Sequence, residues 1–196
     1  LYESEAAGAF FVDKTALLEE LIPLIEQGKQ YICITRPRRF GKTVMANMIA
    51  AFFGKGADSR TVFDRLQIAE SQSYQAHLNR HDVISISFHE MARDCQTYQQ
   101  YIDRVQNRLL KDIKSAWPNH MICESDSVWD VLEELFETES DTKYIFVLDE
   151  WDFIFHQDFV TDADKKSYLS FLRNLLKDKP YVSLAYMTGI LPIAKY

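Results

Sequence analysis

A continuous apolar run, Tyr144-Ile145-Phe146-Val147-Leu148, constrains the fold of this chain more than any other segment. A strand with one solvent-exposed face alternates apolar and polar residues, whereas this run contains no charged or strongly polar position. Such a strand needs cover on both faces, as a central strand of a parallel sheet has between two helical layers. The run therefore predicts an α/β fold with helices on both sides of the sheet.

The remaining segments predict strands and helices in alternation along the chain. Strands are expected at 30–35, 83–88 and 181–187, and amphipathic helices at 43–53, 98–117, 127–136 and 164–176. This order favours a mainly parallel sheet with right-handed crossovers. Residues 1–28 precede the first strand and are expected to form an N-terminal helical extension of a core at 29–196.

Charge and composition exclude several classes of protein. The 196 residues carry a net charge of −7, so broad electrostatic attraction to nucleic acid is not expected from this segment. No apolar run approaches the roughly 20 residues that span a bilayer, and no signal peptide is visible. Cys33, Cys95 and Cys123 lie far apart, which is typical of reduced thiols. These observations predict a cytoplasmic protein without a membrane contact.

The segment Arg36-Pro37-Arg38-Arg39-Phe40-Gly41-Lys42-Thr43 joins the first predicted strand to the helix that follows it. Backbone N–H groups at such a turn bind phosphate oxygens, and the helix dipole adds to the attraction. We expect the whole segment to contact a nucleotide, with Lys42 reaching the β- and γ-phosphates as a catalytic cation and Thr43 binding Mg²⁺. Because Arg36 stands where the usual pattern has glycine, a helix N-terminus with solvated charges remains the alternative.

Two carboxylates, Asp149 and Glu150, follow the apolar run directly. Ligands of open α/β sheets bind at this carboxyl edge. We expect Asp149 to hold Mg²⁺ and Glu150 to orient or activate the attacking water. Thr188 ends the next predicted strand and is a candidate sensor of the γ-phosphate between the two motifs. The alternatives are solvated carboxylates and an ordinary threonine at a strand end.

Asp152 lies shortly after Glu150 and is the first candidate partner for Arg36. A bidentate Arg–carboxylate pair would shape the phosphate loop before a nucleotide arrives. The alternatives are a solvated loop acid and an arginine that stabilises transition-state charge, in cis or in a neighbouring subunit. His77 and His81 have too few converging ligands nearby for a metal site and are expected on a solvated connector.

Several strings together resemble the bacterial AAA-ATPase-like family. They are Phe11-Val12-Asp13-Lys14-Thr15, Thr35 to Thr43, Phe52-Phe53, Leu148-Asp149-Glu150-Trp151-Asp152 and Met187-Thr188-Gly189-Ile190-Leu191-Pro192-Ile193. The resemblance implies a P-loop NTPase core, a three-layer α/β/α sandwich of the additional-strand, catalytic-glutamate type. It also explains Arg36, because that family carries arginine at this place. It further implies that the chain stops before a last core strand and a lid.

The resemblance implies an ATP-binding and ATP-hydrolysing domain that uses Mg²⁺. A nucleotide-dependent switch or scaffold without appreciable turnover is one alternative. A regulatory module is another, because full-length members of the family often carry a nuclease-like domain of the PD-(D/E)XK type. A phosphotransferase is the third. Self-association, and nucleic-acid contact through regions beyond this chain, stay open.

Overall fold

The computed structural model describes residues 1–8, 11–28, 30–123, 125–139 and 142–192, so Ile193 of the family-like strings lies outside it. The strands are β1 (Gln30–Thr35), β2 (Asp82–Ser87), β3 (Tyr144–Asp149) and β4 (Val182–Gly189). The helices are α1 (Tyr2–Ala6), α2 (Ala16–Gln27), α3 (Lys42–Phe53), α4 (Arg60–Phe63), α5 (Tyr74–His77), α6 (Phe88–Met91), α7 (Tyr98–Ala116), α8 (Val128–Thr138) and α9 (Asp162–Leu176). Short 3₁₀ helices lie at Gln67–Glu70 and Phe153–His156.

The four strands form one parallel sheet in the order β1-β4-β3-β2. The last strand in the chain is therefore inserted between the first and the third. Parallel strands end at the same edge of a sheet. The segments that follow β1, β4 and β3 consequently leave the sheet side by side, which places the phosphate-loop candidate and the acidic pair at one edge.

Both faces of the sheet are covered, which confirms the expected α/β/α sandwich. Every residue of β3 and β4 is buried. Ile145 and Val147 pack in one apolar cluster with α1, α2 and α3. Phe146 and Leu148 point the other way, into a cluster formed with α7, α8 and α9. The alternation follows the two-residue period of a strand, and both layers are apolar because neither face meets water.

The structure confirms the predicted long elements and shifts some of their ends. Helix α9 begins at Asp162, two residues before the predicted start, because the Thr161 hydroxyl and the Asp164 carboxylate form a capping box there. Strand β2 ends at Ser87, and Phe88 already begins α6. Short helices such as α4 and α5 were not predicted, because one helical turn is too short to show the hydrophobic period of a helix. Among the described residues, no helix combines the length and apolarity needed to cross a membrane.

The expectation of a solvated connector at His77 and His81 is wrong. His77 is buried, and the two imidazole rings stack with centroids 5.2 Å apart. Nδ1 of His77 lies 3.0 Å from Nε2 of His81, and Phe53 packs edge-on against both rings. The sequence spacing could not show that the two rings pack against Phe53 at the end of α3.

The stacked histidine pair predicts a loss of stability in mild acid. Burial, followed by the charges of His77 and Lys55, lowers the pKa of His81 to about 4, although Asp82 opposes the shift. A histidine with a lowered folded-state pKa stabilises fully above its unfolded pKa and loses that contribution as pH falls from about 6.5 towards 4. Because the ring is partly exposed, we expect a loss of only about 1 kcal/mol at pH 5.

Urea unfolding at pH 7 and pH 5 measures this effect. In His81→Gln, which keeps a hydrogen-bonding group but does not titrate, the pH dependence should be smaller than in the parent. His89→Gln, a change at an exposed histidine, is the matched control and should leave the dependence unchanged. An equal pH dependence in the parent and His81→Gln would contradict the assignment.

Candidate functional site

Two residues of the phosphate loop have left-handed backbone conformations. Arg39 and Gly41 have positive φ angles of 67° and 73°, and Phe40 between them does not. Alternation of left- and right-handed residues is the backbone pattern of a nest, a turn whose N–H groups bind anions. Gly41 is also the N-cap of α3, so this turn lies at the positive end of the helix dipole.

The loop is attached to the sheet and encloses the Lys42 side chain. The N–H of Arg36 donates to the carbonyl of Gly189 at the end of β4, at 3.2 Å. Nζ of Lys42 donates to the carbonyl oxygens of Arg36 and Pro37, at 2.8 and 3.0 Å. The ammonium is therefore held under the loop that should surround a phosphate. Thr43, the next residue, is exposed.

The acidic pair is positioned by the end of β4. Asp149 is buried, and its Oδ1 accepts a hydrogen bond from the Thr188 hydroxyl. The same hydroxyl oxygen accepts from the N–H of Glu150, at 3.2 Å. Glu150 has a φ of 53°, a left-handed conformation that is strained for a residue with a side chain. Thr188 therefore fixes both carboxylate-bearing residues, and the single proton of its hydroxyl is used in the bond to Asp149.

The expected ion pair between Arg36 and Asp152 is not present. Oδ2 of Asp152 accepts from the N–H groups of Ile190 and Leu191, at 2.7 and 2.6 Å. The Arg36 side chain is exposed and forms no ion pair within the described ranges. Asp152 is 2% exposed, and a buried carboxylate is satisfied equally well by two backbone donors. Its role is to fix the segment that follows β4.

Gly189 allows this close arrangement, and the sequence analysis assigned it no role of its own. A Cβ at this position would lie 2.6 Å from Nε1 of Trp151 and 2.8 Å from Oδ1 of Asp152. Both contacts are too short for any side chain, so the segment after β3 packs directly on the backbone of β4. The sequence feature that could have indicated this close packing is a glycine directly after Thr188, at the end of a strand.

A cavity of about 240 Å³ lies at this edge of the sheet. It brings together Lys42 and Glu150, two of the predicted catalytic residues, with Arg38 of the phosphate loop. His89 and His156 also line the cavity and were not predicted. The sequence could have indicated them, because each follows a strand, β2 or β3, whose carboxyl end lies at this edge of the sheet. Arg39, Phe40 and Gly41 line a different cleft, which lies between the phosphate loop and the N-terminal segment.

Thr43 and Asp149, the two residues predicted to bind Mg²⁺, carry side-chain oxygen atoms, which Mg²⁺ prefers as ligands. Oδ1 of Asp149 is bonded to Thr188, whereas Oδ2 receives no hydrogen bond within the described ranges. Among the described residues, no group of three or more His, Cys, Asp or Glu side chains could hold a metal ion.

Comparison with known proteins gives a relative and a family. An uncharacterised protein in the vnfD 5′ region of Azotobacter chroococcum mcd 1 is 37% identical over 79 residues, which make up 40% of this chain and 13% of that protein. The chain thus matches only a small part of the relative's length. No solved structure matches. Residues 3–196 match the family described as a predicted AAA-ATPase. Nearly the whole chain is covered, and the chain therefore belongs to the AAA-ATPase-like family.

Proposed function

We propose that this chain binds ATP with Mg²⁺ at the carboxyl edge of its sheet and hydrolyses it. The observation that carries the proposal is that Lys42, at the start of α3, and Glu150, at the end of β3, line one cavity. A phosphate-binding cation and a candidate base in one cavity are the minimum that hydrolysis of a phosphoanhydride requires.

The phosphate loop is suited to a polyphosphate before one binds. The positive φ angles of Arg39 and Gly41 are those of a turn whose N–H groups can converge on an anion. Lys42 donates to two loop carbonyls, and these contacts hold the ammonium where phosphate oxygens can take over its donors. Little reorganisation is needed at the moment of binding, which favours both affinity and transition-state stabilisation.

Glu150 is the residue placed for the chemical step. Its carboxylate would accept a proton from water as the water oxygen bonds to the γ-phosphorus. The bond from that phosphorus to the bridging oxygen then breaks, and ADP leaves with the electron pair. Bound magnesium would neutralise charge on the phosphate oxygens. Lys42, and Arg38 on the same cavity wall, are the cations available for the equatorial oxygens.

Thr188 acts in this proposal as a positioning residue and not as a sensor of the γ-phosphate. Its side chain is fully buried, and its hydroxyl bridges Asp149 and the Glu150 N–H. The hydroxyl thereby orients the carboxylate expected to hold Mg²⁺. Hydrogen bonds to ligating carboxylates of this kind tune metal affinity without touching the metal.

Lys42→Ala should weaken ATP binding at least about tenfold, because it removes the ammonium that meets the phosphates. Isothermal titration calorimetry with ATP and MgCl₂ measures the change. Lys55→Ala is the matched control, since Lys55 follows the other end of α3 and pairs with Asp82. Equal ATP affinity in Lys42→Ala and the parent would remove the basis for the site.

Glu150→Gln should leave ATP affinity within about twofold of the parent and slow hydrolysis by about 100-fold or more, because an amide cannot accept the proton. Phosphate release under saturating ATP measures turnover, and Asp158→Asn, at an exposed acid of the following loop, is the control. If the parent binds ATP without hydrolysing it, the chain is a nucleotide-dependent switch and not an ATPase. If Glu150→Gln abolishes binding instead, Glu150 is not the base.

Thr188→Val should raise the Mg²⁺ concentration needed for half-maximal ATP hydrolysis by about tenfold, because Asp149 loses the donor that orients it. Thr188→Ser keeps the hydroxyl and should restore the parent's value. Magnesium titrations at fixed ATP give both numbers. A sensor of the γ-phosphate would instead lower turnover at every magnesium concentration, with no shift of the midpoint.

A further inference from the structure

Lys14 brings a cation from the N-terminal segment to the phosphate loop. Its Nζ lies 3.8 Å from the position that a Cβ on Gly41 would take, and Gly41 is the N-cap of α3. Lys14, Arg39 and Gly41 line one cleft, of about 640 Å³, between the N-terminal segment and the loop. Because Lys14 precedes β1 and Gly41 follows it, only the tertiary structure brings the two residues together.

Hydrogen bonds fix the backbone on both sides of Lys14. Oδ1 of Asp13 accepts from the N–H and the hydroxyl of Thr15, at 2.8 and 2.7 Å, and Oδ2 accepts from the N–H of Gln67, at 2.7 Å. Thr15 is buried, and its Oγ1 accepts from the N–H of Ile68, at 3.1 Å. The base of the Lys14 side chain is therefore held beside the loop before any ligand binds, and both oxygens of the neighbouring Asp13 already have donors.

The charges beside the loop are of one sign. The Lys14 side chain is exposed and forms no ion pair within the described ranges. The first turn of α3 contains no acidic residue. Glu5 also lines the cleft, but its Oε1 accepts from Nδ2 of Asn47, which lies about 9 Å beyond Gly41 along α3 at the rise of 1.5 Å per residue.

This arrangement is unfavourable unless an anion completes it. Lys14 and Arg39 repel each other, and each is repelled by the positive end of the α3 dipole. A ligand with negative charge on this side of the loop would turn these repulsions into attractions. The exposed ammonium of Lys14 is free to bond to such a ligand, because no carboxylate of the described residues holds it.

The cleft and the cavity that contains Glu150 lie on different sides of the phosphate loop. Lys42 and Glu150 line the cavity, whereas Lys14 and Gly41 line the cleft. In the proposed reaction the γ-phosphate lies on the Glu150 side, because the attacking water is activated there. The phosphates on the Lys14 side are then those that remain in ADP.

We propose that Lys14 is a second phosphate-binding cation, which holds the α- and β-phosphates of the nucleotide from outside the phosphate loop. The inference rests on the proposed function, because the nucleotide must lie on that loop. An ammonium group donates up to three hydrogen bonds and suits phosphate oxygens as a point charge. Lys14 also compensates for Pro37, which lacks the N–H that another loop residue would offer.

Lys14→Gln tests the assignment, because it keeps a hydrogen-bonding side chain and removes the charge. The α- and β-phosphates are present before and after hydrolysis, so Lys14 should stabilise substrate, transition state and product alike. We expect the affinities for ATP, ADP and inorganic tripolyphosphate to fall about tenfold each. KM for ATP should rise by a similar factor, with kcat within about twofold of the parent.

Calorimetry with each ligand and MgCl₂ measures the affinities, and phosphate release measures KM and kcat. Lys14→Arg keeps the charge and should recover most of the affinity. Lys143→Gln is the matched control, since Lys143 is an exposed lysine just before β3, at the opposite edge of the sheet. It should bind all three ligands as the parent does.

Urea unfolding without nucleotide separates binding from structure. Lys14→Gln should unfold at the parent's urea concentration or slightly above it, because a repulsion has been removed. A lower midpoint, an unchanged affinity for tripolyphosphate, or a fall in kcat with KM unchanged would overturn the role of Lys14.

Lys42→Ala decides the proposed function separately. If Lys42→Ala loses ATP affinity and Lys14→Gln does not, the phosphate site stands and the role of Lys14 is wrong. A parent that binds neither ATP nor tripolyphosphate would overturn both proposals.

Discussion

The hydrogen bonds at the end of β4 hold the candidate site together. The Gly189 carbonyl accepts from Arg36 at the start of the phosphate loop, and the Thr188 hydroxyl binds Asp149 and the Glu150 N–H. The Thr188 carbonyl accepts from the N–H of Trp151. Each bond contributes only about 1 kcal/mol net, but Thr188 and Asp149 are buried, so losing the bond between them costs more than the bond itself. The loops after β1 and β3 are therefore positioned by the strand between them.

The N-terminal segment contributes to the same edge through a second set of contacts. Asp13 accepts from the N–H groups of Thr15 and Gln67, at 2.8 and 2.7 Å, and Thr15 Oγ1 accepts from Ile68. Burial raises the pKa of Asp13, but these hydrogen bonds outweigh it and leave the pKa below its usual value. Asp13 and Thr15 thus fix the family-like string from Phe11 to Thr15, and Lys14 between them lines the cleft beside Gly41.

Much of the fold and part of the site followed from local patterns. The apolar run before Asp149 predicted a strand covered on both faces, and the change from strand to glycine turn to amphipathic helix predicted the phosphate loop. These features depend on residues close together in the sequence. The hydrophobic period of each element and the residues that mark its ends can therefore be recognised without knowledge of the fold. Lys42 and Glu150 could be placed at one sheet edge because parallel strands end there.

The tertiary structure alone decided which side chains meet. The strand order, with β4 between β1 and β3, brought Thr188 to Asp149 and to the Glu150 N–H, and it gave Asp152 two backbone donors in place of Arg36. It buried His77 against His81, and it brought Glu5 of α1 to Asn47 of α3. The sequence by itself determined the elements and the chemistry available at their ends. Contacts between distant segments depend on packing and on satisfying buried polar groups, and no local pattern records either.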